Sequence, residues 1–267
     1  MFKEIFVLAL FSLFLIPAKS SYSMVWSDEF DGSSLDSGAW NVEQRDTVQN
    51  NELEAYTNGN VYVSDGLLHM VAKKQNWGNK HYTSGRINSR SKKTFLYGKF
   101  EARMKMPAGK GFWPAFWLLP NDFNDWPAHG EIDIMEVLGH DLHTLHGTVH
   151  MGTPGHDING GAGFGGKTSM PDPYNEDFHL YTVEWTPGQI TWSVDENVYF
   201  TAKPSQTKPY WPFVGNKFYI IFNLAVGGNW PGAPDSHTVF PNEFVVDYVR
   251  VYQNNALELW RRRLGSK

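Results

Sequence analysis

The sequence predicts an all-β fold, an antiparallel β-sandwich in a single domain, on three observations. From Val25 to Tyr252, short runs with period-two alternation recur between clusters of Gly, Pro, Asn and Asp. No long stretch places apolar residues at helical spacing. The length, 267 residues, lies within the range of one all-β domain around one core.

In chain order, the first element is a leader. Met1 to Glu4 form a short charged head, and Ile5 to Pro17 form an apolar run too short to cross a membrane comfortably as a helix. Residues 1–23 therefore read as a secretory signal peptide, and a secreted or periplasmic location is expected. Ala18-Lys19-Ser20 or Ser21-Tyr22-Ser23 would supply the cleavage site. An uncleaved anchor is the alternative. Residues 24–253 form the expected domain. Its strands are predicted at 61–63, 67–73, 97–106, 116–119, 131–137, 144–151, 179–186, 189–194, 218–225 and 243–252. Gly152 to Gly166 is dense in glycine and is expected to be a mobile loop over one end or edge of a sheet. Residues 254–267, with Trp260-Arg261-Arg262-Arg263, leave the strand pattern and read as a solvated tail, with a short amphipathic helix as the alternative. No internal repeat or interdomain linker is evident.

Composition narrows the class. A net charge of −5 with no long basic run argues against nucleic acid as the main partner. No membrane contact is expected after removal of the leader, and a monomer is expected. With no cysteine, the domain must hold together by core burial without disulfides. Eleven tryptophans suit a deep β core, but several stand beside Gly and Pro, where cleft walls and sugar-stacking faces are expected.

The chemistry centres on Glu131-Ile132-Asp133-Ile134-Met135-Glu136. In an extended strand Glu131 and Asp133 share one face while Ile132 and Ile134 point into the core. Strict alternation would bury Glu136. A β-bulge that absorbs both Ile134 and Met135 returns Glu136 to the acidic face. Three carboxylates in line repel one another, so the position calls for catalysis or cation binding. About four strand steps separate the two glutamates, ~13 Å between Cα atoms. Side chains leaning together over a concave sheet allow a carboxyl gap of roughly 5 Å, the spacing of a retaining glycosidase.

His140, His143, His146 and His150 invite a zinc reading. His146 and His150 share a strand face but stand roughly 13 Å apart along it, too far for one metal. No HExxH is present, and His129-Gly130-Glu131 lacks the cysteine pair of a zinc deaminase.

Gly130 to Glu136, with Gly111-Phe112-Trp113-Pro114-Ala115-Phe116-Trp117 before it and Asn223 to Gly232 after it, resembles glycoside hydrolase family 16. The likeness runs from Trp26-Ser27-Asp28-Glu29-Phe30 to Val246-Asp247-Tyr248-Val249-Arg250-Val251-Tyr252. Met135 matches the bulged motif of laminarinases, whereas lichenases carry the shorter one. The resemblance implies a concanavalin A-like jelly-roll of two curved antiparallel sheets with a concave substrate groove. It also implies Glu131 as nucleophile, Glu136 as acid/base and Asp133 as the assisting acid between them. Trp113 and Trp117, two strand steps apart, and Trp230 on a loop are expected as sugar platforms, with core packing the alternative for Trp117. Arg86, Asn51 and His150 are expected to contact glucan hydroxyls; for Arg86 the alternative is an exposed ion pair. No catalytic cofactor is implied. One structural calcium is, on Glu29, the Gly66 carbonyl and Asp247 on the convex side.

The function implied is endo-hydrolysis of β-1,3-glucan with retention. The same site acting on mixed-linkage β-1,3-1,4-glucan or a galactan, or transferring sugar to an oligosaccharide, is the alternative within the enzyme class. A non-catalytic glucan-binding module is the alternative outside it, and the intact acid trio argues against that.

Overall fold

A computed structural model describes residues 21–255. Two eight-stranded antiparallel sheets pack face to face. The first runs in the order 197–202, 189–194, 179–186, 98–105, 242–254, 67–72 and 61–64, with Tyr22–Asp28 also paired to Asn242–Asn254. The second runs 164–169, 141–150, 131–138, 112–120, 218–226, 86–88 and 41–42, with Thr94–Phe95 also on Phe218–Val226. All ten predicted strands are present, and the jelly-roll sandwich expectation holds.

The core lies between the sheets. Phe112, Phe116 and Leu118 point into it from one strand of the second sheet, and Phe218 and Phe222 from its neighbour. Trp40, Trp185 and Trp192 are fully buried, so part of the tryptophan content is core. Burying such rings contributes on the order of 2–3 kcal/mol each.

Three strands of useful length escaped the periodicity reading, Tyr22–Asp28, Phe164–Ser169 and Asn197–Ala202, as did the front of Phe112–Pro120. Pro114 made that front look like a flank, because proline lacks a ladder donor, yet it sits opposite Leu224 in a central strand. Phe164–Ser169 corrects the end of the expected mobile loop: it pairs with Asp141–His150. Its Gly166 is glycine because a Cβ there would stand 2.5 Å from the Phe200 ring. The rest of the segment is a small hairpin, Gly152–Thr153 with His156–Asp157, and a short helical turn at Ile158–Gly161.

The first paired residue is Tyr22, opposite Asn254. Strand pairing thus runs from residue 22 to residue 254, around the expected 24–253. The expected leader through Ser20, and the tail from residue 256 with its Trp-Arg-Arg-Arg run, lie outside the described residues.

Candidate active site

The predicted bulge is present. Glu131 stands opposite His150, Asp133 opposite Thr148 and Glu136 opposite His146, with the register shifting between Asp133 and Glu136. On the other side Trp117 faces Asp133 and Phe116 faces Met135, so Ile134 is the additional residue. Ile134 and Met135 are both buried, and Glu131, Asp133 and Glu136 all line one groove of about 760 Å³.

Each glutamate is held by an indole. Trp113 Nε1 donates to Glu136 Oε1 at 3.0 Å, and Trp126 Nε1 donates to Glu131 Oε2 at 2.6 Å. Trp230 meets Trp113 edge to face at 5.3 Å and His146 at 4.9 Å, leaving an exposed ring on the groove wall. Trp117 lines the groove, donates to Asn223 Oδ1 and carries the Arg86 guanidinium over its ring at 4.8 Å. Arg86 in turn donates to Glu43 at 2.8 Å and lines the same groove, so its ion pair is a floor of the site and not an exposed surface pair. The three tryptophans and Arg86 thus all line the groove.

Two of the expected contact residues are placed differently. Asn51 is exposed, has φ of +56° and donates its amide to Asn229 Oδ1 at 2.8 Å; its neighbours Asn50 and Glu52, with Asn229, reach the groove instead. His150 lines the groove, but both ring nitrogens face carboxylates: Nδ1 lies 2.6 Å from Asp157 Oδ2 and Nε2 lies 3.2 Å from Asp133 Oδ2. It is therefore paired with Asp157 and stands within ion-pair distance of the acid trio.

Electrostatics follow from this packing. Burial raises Glu131 to about 8, with the Asp133 charge adding to it. Burial raises Glu136 to about 7 against the opposing pull of His150, and Asp133 to about 6 with the Glu136 charge adding. For His150, burial acts against the cation, but Asp133 and Asp157 overcome it and push the ring up to about 12. The site is one imidazolium among three crowded carboxyls, and at neutral pH the trio keeps at least one proton.

Among the described residues, Glu131, Asp133 and His150 form the one group close enough to hold a metal ion, their ligand atoms lying within 4.8 Å of one another. An imidazolium is no ligand, and His150 is fixed as one by Asp157. The expected calcium set does not fit through Glu29, because both of its oxygens accept from Arg250, at 3.0 and 2.7 Å. Asp247 Oδ2 accepts from Arg103 at 2.7 Å, while Gly66 sits in its turn at φ of +75°. The zinc reading also ends here: His143 Nδ1 lies 3.0 Å from the Met170 carbonyl and His146 packs on Trp230.

Sequence reasoning missed Trp126 and Asp157. Trp126 carried a signal, a tryptophan in a Pro/Asn/Asp-rich loop five residues before the nucleophile position, and it is 45% exposed. Asp157, inside the glycine-rich stretch, carried none.

Comparison with known proteins agrees with this geometry. A family model described as glycosyl hydrolases family 16 matches residues 48–250. A beta-glucanase from Rhodothermus marinus is 39% identical over 248 residues, taking in 87% of this chain and 85% of that protein. Glucan endo-1,3-beta-glucosidase A1 from Niallia circulans is 37% identical over 270 residues, 89% of this chain but 39% of that longer protein. The catalytic domain of an endo-1,3-beta-glucanase (laminarinase) from Thermotoga petrophila RKU-1 superposes with a TM-score of 0.83 at 39% identity, covering 89% of this chain and 100% of that one.

Proposed function

We infer the function from one premise: the chain belongs to glycosyl hydrolase family 16 and is a glycoside hydrolase. We propose that it cuts internal β-1,3-glucosidic bonds of a laminarin-type glucan by double displacement. The observation that carries the proposal is the bulge at Ile134, which turns Glu131, Asp133 and Glu136 to one groove face.

In the first step Glu136 gives its proton to the glycosidic oxygen while a Glu131 carboxylate oxygen attacks the anomeric carbon. The bond to the leaving sugar breaks, and a glycosyl ester of Glu131 forms. In the second step Glu136, now a base, takes a proton from water, whose oxygen displaces Glu131. The reaction runs on side chains and water alone, with no cofactor. Attack draws on the arrangement in which Glu131 is bare and Asp133 and Glu136 hold the protons. Trp126 N–H and the His150 cation both favour charge on Glu131. One pKa unit against that arrangement costs about 1.4 kcal/mol, a tenfold population factor. Asp133 takes the proton that Glu131 gives up.

The groove supplies aromatic walls for a neutral sugar chain in Trp113, Trp117, Trp126 and Trp230. Export through the leader at residues 1–23 and action as a monomer complete the proposal. Reducing ends released from laminarin, mixed-linkage glucan and agarose test it: laminarin is expected to react fastest. Tight binding with turnover of none of the three would sink the hydrolase assignment, and faster mixed-linkage cleavage would move the substrate. A proton-NMR time course of the first anomer released tests retention, which requires the β anomer.

A further inference from the structure

The glycine-rich segment that the sequence presents as a free loop makes three attachments to the surroundings of the acidic strand. Asp157, whose side chain is 1% exposed, faces His150 Nδ1 with Oδ2 at 2.6 Å and accepts the Met151 amide on Oδ1 at 3.0 Å. Ile158 N donates to Met151 O at 2.9 Å, locking the hairpin back onto the strand that carries His150. Gly155 N donates to the backbone oxygen of Trp126 at 2.9 Å, and Trp126 holds Glu131 through its indole. Gly161 and Ala162 then reach the groove wall. A mobile cover does not need a buried carboxylate with both oxygens engaged.

We propose that this segment is a brace for the acid trio, with Asp157 a positioning residue that holds His150 against Asp133 while Gly155 holds Trp126 against Glu131. The proposal rests on the retaining reading of Glu131 and Glu136. Asp157 touches no sugar; it acts through His150. An imidazole between two carboxylates is fixed in orientation and in charge, since both nitrogens must then carry protons. The groups that face His150 are Glu131 and Asp133 across the strand pair, Glu136 further along, and Asp157 from the hairpin. Without Asp157 the ring can lose its proton and turn. The site then loses a cation next to the trio and an anion one ring further away. The nearer charge dominates, so the carboxyls hold their protons more tightly and both limbs of the pH profile move up.

The test uses Asp157→Asn, Asp157→Ala and Asp157→Glu in the whole chain, with laminarin turnover by the unchanged protein measured first. Absence of that turnover sinks the functional reading and leaves the next readout standing. The side-chain nitrogen resonances of His150 are followed by NMR from about pH 5 to about pH 9, where an ordinary histidine would titrate. The unchanged protein is expected to keep His150 doubly protonated throughout, and the Asn and Ala variants to titrate inside the range. In those variants kcat is expected to fall roughly tenfold with KM within about twofold, both limbs of the profile moving to higher pH and the Glu variant restoring them. A His150 that titrates near neutrality in the unchanged protein overturns the proposal, and this arm needs no variant to fold. So does a pH profile that stays in place, or moves down, in a folded Asp157→Asn protein.

Discussion

Two clusters of carboxyls stand at this groove, and only one of them turns every acid to it. The trio on the bulged strand has a cation in His150 and an indole donor on each glutamate, and all three acids face the cavity. The second group is Glu52 and Glu54, on a segment that braces the loop before Trp230. Glu54 is fully buried, accepts the Val226 amide at 2.7 Å and leaves Oε1 without a partner. Burial, with the Glu52 charge adding, raises it to about 8. Glu131 is raised to the same value. A perturbed acid is therefore no sign of catalysis on its own; what separates the groups is a facing cavity, a second acid placed across it and a compensating cation.

The sharpest way to break this contrast is to remove the carboxylate proposed as the nucleophile. Glu131→Gln is expected to lower kcat on laminarin on the order of 10⁴-fold or more, with binding largely kept, as read by steady-state rates and calorimetry. The matching change in the other group, Glu54→Gln, is expected to leave kcat within about twofold. Comparable losses in both would erase the distinction.

Next in size is the indole on Glu131. Trp126→Phe keeps the ring and deletes the N–H, and a hydrogen bond to a charged group contributes about 1.5–3 kcal/mol, so kcat is expected to fall roughly ten- to a hundredfold. The same variant sharpens the mechanism, because Glu131 loses a donor that favours its charged form. The limb of the kcat/KM profile that reports Glu131 ionisation is then expected at higher pH. In the unchanged enzyme both limbs fall between about 6 and about 8, the values to which the trio is raised, so the bell is narrow and its top sits near neutrality. A broad plateau from acid to alkaline pH would show that the trio is not what titrates.

How far the sequence disclosed this site depends on what kind of geometry each residue needs. Met135 was legible because a strand has only two faces: once Ile134 and Met135 both had to be buried, the bulge was the remaining way to keep three acids together. Trp113 and Trp117 were legible for the same reason, four residues apart on one face of a strand. Asn51 stands one residue off the groove because Asn50 and Asn51 both adopt positive φ, a double turn that leaves Asn50 and Glu52 on the groove. The role of His150 was hidden because its partner Asp157 arrives through a hairpin whose glycines look like a loop, and no spacing rule links residue 157 to residue 133. Arg250 and Arg103 displaced the calcium reading through pairings across strands that only the register reveals. Period-two logic reaches along a strand; it does not reach across a turn.

The smallest expected effect returns to Glu54 and concerns stability instead of rate. Its folded-state value of about 8 lies above the ordinary 4.5, so the fold favours the neutral acid. The contribution of Glu54 is fully present below the unfolded value and is lost as pH rises through the folded one, across the window from 4.5 to about 8. Glu54→Gln keeps a carbonyl oxygen for the Val226 amide and places an N–H₂ beside the Glu52 carboxylate, in a form that cannot ionise. The variant is expected to match the unchanged protein at pH 4.5 and to melt roughly 2–4 °C higher at pH 8, as read by calorimetry at both values. The trio offers no such gain, because there the strain of crowded acids is tied to turnover: a stabilising Glu131→Gln would also abolish the reaction. If Glu54→Gln instead melts lower at pH 8, the buried acid is ionised and paired in solution, and the two carboxyl groups differ less than their surroundings indicate.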